Sequence, residues 1–289
     1  MASVWNFMQK FQFLLPLIFL SAGLFCTNHD TAQPIPETNR SLENPPDSLL
    51  FQRFAVPSGF KRSEADAASF AHYLRNLPLK PPGSLVRYFD GDLKQNHGVY
   101  DAVVDLPIGR KNLHQCADAV IRLRAEYLWK RRDFDQITFN FTNGFPAEYQ
   151  RWRKGERIKV RLNHASWVAS AAPSDSYQTF WAYLEMVFSY AGTLSLDKEL
   201  HPKPLSELEI GDVFIRGGSP GHAVIVVDMA VSEAGEKVFL LAQSYMPAQE
   251  LQILKNPNDP KLSPWYAADF GETLHTPEWS FQKAALKGF

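Results

Sequence analysis

The stretch that decides the fold is residues 211–230, which read GDVFIRGGSPGHAVIVVDMA. Two apolar runs, 213–215 and 223–227, lie on either side of a turn rich in glycine and proline, and a third run follows at 238–242. Short apolar runs separated by such turns are typical of consecutive antiparallel strands. The sequence therefore predicts a three-stranded antiparallel meander at the centre of the domain.

Two polar residues lie at the same end of adjacent strands in this meander. His222 opens the middle strand and Gln243 closes the third. If these two lie directly opposite each other, Asp228 lies opposite Lys237 and the pairs between them are apolar. We predict this register, with a shifted one as the alternative because the loop at 229–236 can absorb a shift. An amide beside an imidazole can fix the ring's tautomer while the free ring nitrogen acts as a base.

A base of this kind needs a nucleophile, and Cys116 is the candidate. A helix is predicted from about residue 113 to 132 with Asn112 as its N-cap, so Cys116 lies in its first turn. The positive end of a helix favours a thiolate, which predicts a lowered pKa for the Cys116 thiol. We therefore predict Cys116, His222 and Gln243 as nucleophile, base and orienting residue. The alternative for Cys116 is a small buried core residue, a common role for a free cysteine.

The spacing of charged residues predicts how this helix packs. Asp118, Arg122 and Glu126 recur every four positions, which predicts an exposed stripe with internal ion pairs. Cys116 lies roughly opposite that stripe and is predicted to face the core.

Further elements are predicted from apolar patterning and from turn residues. Helices are expected at 64–76 and 177–191, and strands at 51–56 and 136–141. A hairpin is expected in which residues 85–89 pair with residues 98–105 across a turn at Asp90 and Gly91.

The first 26 residues have the pattern of a signal peptide. Lys10 precedes an apolar run at 13–25 that is too short to span a membrane as a helix. Two alternatives stay open: cleavage near Gly23, or a bacterial lipoprotein signal in which lipidation of Cys26 anchors the protein to a membrane. Residues 27–50 contain four prolines and many polar residues, which predicts a flexible linker. Residues 51–289 are then predicted to form one domain in the cell envelope.

Composition and motifs exclude several classes of protein. A formal net charge of −1 with 45% hydrophobic residues argues against a dedicated nucleic-acid-binding protein and against a disordered chain. The histidines show no metal-ligand spacing and no glycine motif for a nucleotide is present, so we expect no metal and no cofactor. Gly217, Ser219 and Gly221 match the G-x-S-x-G pattern of serine hydrolases. That motif needs a helix after its turn, whereas a strand is predicted here.

The order of a cysteine at a helix start, a histidine on a strand and a polar residue on the next strand resembles the papain-like cysteine peptidases. It is most similar to NlpC-type cell-wall hydrolases, in which a Gly–Asp–hydrophobic strand precedes the histidine, as residues 211–214 do here. Residues 115–117 read QCA where those families usually have DCS. The resemblance implies an α+β, papain-like fold with insertions, in which a helix carrying Cys116 packs on an antiparallel sheet carrying His222.

A second resemblance covers most of residues 50–289. It rests on the segments LPLKPPGS, HQCADAVIRLRAEYLW, FSYAGTLSL, GDVFIRGGSPGHAVIVVDMA, LLAQSYMPAQ, SPWY and TPEWSF. These segments are similar to a family of exported bacterial proteins known as domain of unknown function 4846. That resemblance implies export and no particular activity.

Two functions are compatible with these observations. The first, implied by the papain-like resemblance, is a cysteine hydrolase of the peptidase or amidase kind that works through an acyl-enzyme and takes cell-wall peptides as its substrate class. The second is a non-catalytic surface lipoprotein that keeps the fold for binding or scaffolding.

Overall fold

The computed structural model describes residues 48–289, so Cys26, the predicted signal peptide and nearly all of the predicted linker lie outside the described residues. Residues 48–289 form a mixed α+β structure in which a large antiparallel sheet packs against a few helices. None of the helices in this range is long and apolar enough to cross a membrane. The α-helices of the range are α1 (Leu50–Arg53), α2 (Phe70–Arg75), α3 (Cys116–Lys130), α4 (Tyr149–Arg153), α5 (Tyr177–Tyr190) and α6 (Thr193–Glu199).

Short strands accompany these helices. In residues 48–289 they are β1 (Phe60–Arg62), β2 (Tyr100–Val103), β3 (Thr138–Asn140), β4 (Pro146–Glu148), β5 (Glu156–Arg161), β6 (His164–Ala169), β7 (His201–Pro202), β8 (Val213–Arg216), β9 (His222–Ser232), β10 (Lys237–Gln243), β11 (Gln252–Leu254), β12 (Tyr266–Ala267), β13 (Thr273–His275), β14 (Ser280–Gln282) and β15 (Leu286–Gly288). Nine of them form the large sheet, in the order β2–β11–β10–β9–β8–β15–β7, with β1 also paired to β9 and β12 to β10. The pairs β3–β4, β5–β6 and β13–β14 form separate two-stranded sheets.

The predicted meander is confirmed as strands β8, β9 and β10, which pair antiparallel. The predicted register between β9 and β10 is wrong. Leu241 lies opposite Val226, two residues beyond its predicted partner, and Phe239 lies opposite Met229, three residues beyond. There are two causes: β9 continues to Ser232, inside the predicted loop, and a bulge shifts the register between Leu240 and Leu241.

Each strand of the meander has two apolar faces, because successive side chains point to opposite sides of a sheet. Ala223 and Ile225 belong to the larger core, which the helices cover. Val224 and Val226 belong to a second core together with Phe281 from β14. His222 precedes Val224 by two residues on the same strand, so its side chain lies on the same face of the sheet, which β14 covers.

The predicted exposed stripe on α3 is wrong, because Asp118, Arg122 and Glu126 are all buried. The internal ion pair is confirmed, since Arg122 Nε lies 2.8 Å from Glu126 Oε1. The loop before α3 and helix α5 cover these charges. Arg122 donates to the carbonyl of Pro107 at 2.7 Å, and the Tyr177 hydroxyl donates to Glu126 at 2.8 Å. Hydrogen bonds to neighbouring elements thus replace water around the pair.

Several other predicted elements need correction. Residues 51–56 begin within helix α1 and do not form a strand. The predicted helix at 64–76 is confirmed only over α2, the predicted strand at 136–141 only over β3, and the predicted helix at 177–191 as α5. The turn at Gly91 exists, but β2 pairs with β11 and not with residues 85–89. The residues that form the turn are adjacent in the sequence and predict it directly, whereas β11, the partner of β2, lies about 150 residues away in the chain.

Candidate active site

A cleft of about 530 Å³ lies where the start of α3 meets the end of the central meander. It is bounded by the turn between β8 and β9, by the connection between α5 and α6, and by Trp279, which comes just before β14. The lining residues are Asn112, Leu113, Gln115, Cys116, Ala117, Asp118, Phe188, Ala191, Gly192, Thr193, Gly218, Ser219, Pro220, Gly221, His222, Tyr245, Met246 and Trp279. Cys116 and His222 therefore share one cleft.

Cys116 is the first residue of α3, three residues later than the predicted helix start, and Gln115 is the N-cap. Asn112 does not cap the helix, because its side-chain oxygen accepts the backbone N–H of Ala248 at 2.8 Å. Asp118 instead accepts the backbone N–H of Gln115 at 3.0 Å. This carboxylate at the third helical position satisfies one of the donors that a helix start leaves unpaired.

The predicted lowering of the Cys116 pKa is wrong, because burial raises the pKa of this thiol to about 11. The nearby Asp118 carboxyl raises it further, while backbone hydrogen bonds from Ala117 and Ala223 lower it without compensating. Only 6% of Cys116 is exposed, so the thiolate would lose nearly all of its hydration. The contact with the backbone of Ala223 also places the thiol beside the strand residue that follows His222.

His222 is held by a chain of side chains that runs through Gln243. His222 Nε2 donates to Gln243 Oε1 at 2.8 Å, and Gln243 Nε2 donates to Glu278 Oε2 at 2.6 Å. Lys94 Nζ lies 2.6 Å from the same carboxylate oxygen of Glu278. His222 and Gln243 are each 1% exposed, and Lys94 is also buried.

The direction of these hydrogen bonds fixes the tautomer of His222. A carboxylate only accepts hydrogen bonds, so Gln243 must present its amide nitrogen to Glu278 and its oxygen to the imidazole. The proton of His222 is therefore on Nε2, and Nδ1 carries the free lone pair. Burial lowers the pKa of His222 to about 4, which keeps the ring neutral at pH 7. The arrangement supplies a neutral imidazole of defined orientation to the cleft.

Aromatic rings surround His222 on the face that β14 covers. The ring centroids of Tyr245, Trp279 and Phe281 lie 4.7, 5.4 and 5.9 Å from that of the imidazole. This apolar surround accounts for the desolvation that lowers the pKa of His222.

Two buried polar atoms at the cleft have no hydrogen-bond partner in the protein. In residues 48–289 such atoms occur at Ser48, Asp118 and Trp279, and the latter two residues line the cleft. The atoms are Oδ1 of Asp118 and the indole Nε1 of Trp279. Buried polar atoms are usually satisfied, so unpartnered ones at a cleft are candidates for contact with a ligand.

The sequence pointed to Cys116, His222 and Gln243 but not to the residues that complete their surroundings. Glu278 and Lys94 are distant from Gln243 in the chain, and no local pattern marks either of them. Asp118 lies three residues after the observed N-cap, Gln115, but the sequence predicts Asn112 as the N-cap and places Asp118 in an exposed stripe. As for metals, no group of three or more His, Cys, Asp or Glu side chains in the described range could hold an ion.

Removing the charge of Glu278 tests the buried network. In Glu278→Gln the amide oxygen can still accept from Gln243, but Lys94 loses its buried anionic partner. We expect the free energy of unfolding, measured by urea denaturation, to fall by roughly 3 kcal/mol. The double variant Lys94→Met with Glu278→Gln removes both charges and should recover most of that loss. Equal stability of the wild type and Glu278→Gln would contradict the network.

The buried carboxyl of Asp118 predicts a pH dependence of stability. Burial raises its pKa to about 8, so between its ordinary pKa near 4 and pH 8 the folded protein holds a proton that the unfolded chain releases. Stability from this group is complete at low pH and is lost as pH rises toward 8. Urea denaturation should therefore show that raising the pH from about 5 to about 8 costs the wild type more stability than Asp118→Asn. Parallel losses in the two proteins would contradict the raised pKa.

Comparison with known proteins identifies the family. The chain matches the family model described as Domain of unknown function (4846) over residues 50–288. No curated protein and no solved structure matches it. The matched segment contains the whole cleft network, from Lys94 through Cys116, His222 and Gln243 to Glu278. The chain therefore belongs to the family defined by domain of unknown function 4846.

Proposed function

We propose that the protein is a cysteine hydrolase in which Cys116 is the nucleophile, His222 the general base and Gln243 the residue that orients His222. The observation that carries this proposal is the 2.8 Å hydrogen bond from His222 Nε2 to Gln243 Oε1 beside a cleft that also contains Cys116. The imidazole of fixed tautomer and the one thiol of the described residues line the same cleft, so a base and a nucleophile are available to one ligand.

The protonation states favour general-base catalysis over a preformed ion pair. With a thiol pKa of about 11 and an imidazole pKa of about 4, the proton resides on sulfur at pH 7. The Cys116 thiol attacks the carbonyl carbon of an amide or ester while Nδ1 of His222 takes its proton. His222 then gives that proton to the leaving amine or alcohol, and a thioester remains on Cys116. Water hydrolyses the thioester, with His222 again acting first as base and then as acid.

Two N–H groups are available to stabilise the oxyanion of the tetrahedral intermediate. One is the backbone N–H of Cys116 at the positive end of α3, and the other is the unpartnered indole N–H of Trp279. Fixed donors aimed at a developing negative charge are among the largest contributions to enzyme catalysis.

The proposed fold type and substrate class rest on the resemblance to the papain-like cysteine peptidases. A helix that carries the cysteine, packed on an antiparallel sheet that carries the histidine, supports a papain-like arrangement of the NlpC kind. From the same resemblance we propose peptides of the cell wall as the substrate class. Export to the cell envelope, by a signal peptide or with a lipid anchor at Cys26, is proposed from the N-terminal sequence pattern.

One observation favours a non-catalytic protein as the second candidate. Cys116 is 6% exposed and its pKa is raised, so it resembles a core cysteine more than an activated thiolate. In that case the cleft would bind a peptide without cleaving it.

Acylation by a p-nitrophenyl ester separates the two candidates. We expect the wild type to release a burst of p-nitrophenol, with the acyl group located on Cys116 by peptide mass spectrometry. Cys116→Ala should abolish the burst, and His222→Ala should slow acylation by about a hundredfold or more. His164→Ala, a change at an exposed histidine on β6, is the matched control and should behave like the wild type. Failure of the wild type to acylate, or an unchanged rate in His222→Ala, would contradict catalysis and leave the binding role.

A further inference from the structure

Charge is distributed unevenly around the cleft. Among its lining residues, Asp118 is the one Asp, Glu, Lys or Arg. Lys94 and Glu278 do not line the cleft, and their charges neutralise each other because Lys94 Nζ lies 2.6 Å from Glu278 Oε2. A buried surface with a single acidic group favours a cationic ligand group and disfavours an anionic one.

Asp118 has one oxygen that the protein uses and one that it does not. Oδ2 accepts the backbone N–H of Gln115 at 3.0 Å, whereas Oδ1 is buried without a partner. The residue is 6% exposed, so bulk water gives that oxygen little compensation. An unpaired buried acceptor of this kind is costly unless a ligand donates to it.

We infer that Asp118 is a specificity residue which receives a primary ammonium group of the substrate through Oδ1, two residues after the nucleophile Cys116. This inference rests on the proposed function and names the substrate class for it: amides or esters that carry an ammonium group close to the scissile carbonyl. A substrate with a carboxylate at that place would form no ion pair with Asp118 and would be repelled wherever Asp118 is ionised.

An ammonium at Asp118 would also act on the nucleophile. Burial raises the pKa of the Asp118 carboxyl to about 8, so in the empty cleft it is mostly protonated at pH 7, and a bound ammonium group ionises it. The negative charge that forms would by itself hold the Cys116 thiol neutral, but the bound cation cancels it. The same cation stabilises a negative charge developing on sulfur during attack. A cationic substrate is therefore expected to increase the reactivity of Cys116 as well as its own occupancy of the cleft.

Methanethiosulfonate reagents that differ in charge test this directly. In each reaction the Cys116 sulfur attacks the sulfenyl sulfur of the reagent, a disulfide forms and methanesulfinate leaves, so no hydrolase activity is required. The three reagents are the 2-aminoethyl, methyl and 2-sulfonatoethyl compounds, which are cationic, neutral and anionic. Peptide mass spectrometry distinguishes modification of Cys116 from modification of Cys26 in the full chain. The rate ratio of cationic to neutral reagent is compared with that of the same protein unfolded in denaturant.

We expect this ratio to be roughly ten- to a hundredfold larger in the folded wild type than in the unfolded chain, the range for one hydrogen bond to a charged group. At a pH above 8, where the Asp118 carboxyl is ionised in the empty cleft, the anionic reagent should be slower than the neutral one. Asp118→Asn keeps an oxygen for the N–H of Gln115 and should bring the ratio close to that of the unfolded chain. Glu233→Gln removes an exposed carboxylate just beyond the far end of β9 and should leave the ratio as in the wild type.

The possible outcomes test the role of Asp118 and the proposed function separately. A folded wild type without preference for the cationic reagent overturns the inference, whether or not Asp118→Asn folds, and leaves the proposed function intact. A preference that survives in Asp118→Asn overturns it as well. A folded Cys116 that reacts with none of the reagents contradicts the proposed function, and with it the inference.

Discussion

The hydrogen bond between His222 and Gln243 is the interaction on which the rest of the site depends. It can form although the two residues are not directly opposite each other, because diagonal neighbours on one face of an antiparallel pair are within reach of a long side chain. The shifted register moves the partner of Leu241 by two residues, which preserves the face on which each side chain lies. Glutamine is long enough to span the diagonal and to contact Glu278 at the same time. The β14 hairpin then closes over this pair with Trp279 and Phe281.

Competition between the helix start and burial sets the protonation state of the Cys116 thiol. The positive end of a helix stabilises a nearby charge by about 0.3 to 1 kcal/mol, up to about 2 kcal/mol in partly buried sites. Raising the pKa of Cys116 from 9.0 to about 11 corresponds to roughly 3 kcal/mol in the opposite direction. Burial and Asp118 therefore outweigh the helix, and the resting thiol stays protonated. In the proposed mechanism, the reactivity of Cys116 depends on His222 and on what occupies the cleft, so the thiol is activated only when substrate is bound.

Sequence reasoning predicted those parts of the structure whose signals are local. The meander, helices α3 and α5, and the positions of Cys116, His222 and Gln243 on them follow from apolar runs, turns and helix-start chemistry. The register between β9 and β10 was not predictable in this way, because a bulge at Leu240 and Leu241 leaves no mark in the apolar pattern. The burial of Arg122 and Glu126 depends on Tyr177 and Pro107, which approach α3 only in the folded chain. Glu278 contacts Gln243, and Lys94 contacts Glu278, for the same reason, because all three residues are distant from one another in the sequence.

The measurement that tests this account most directly is ¹⁵N NMR of the full chain labelled at histidine, with His222 assigned by its absence in His222→Gln. At pH 7 we expect a neutral ring with the proton on Nε2 and an unprotonated Nδ1. In Gln243→Leu, which removes the hydrogen bond to Nε2, we expect a mixture of the two neutral tautomers. An imidazolium at pH 7, or a neutral ring with the proton on Nδ1, would contradict this assignment, because in neither form is Nδ1 free to take a proton from Cys116.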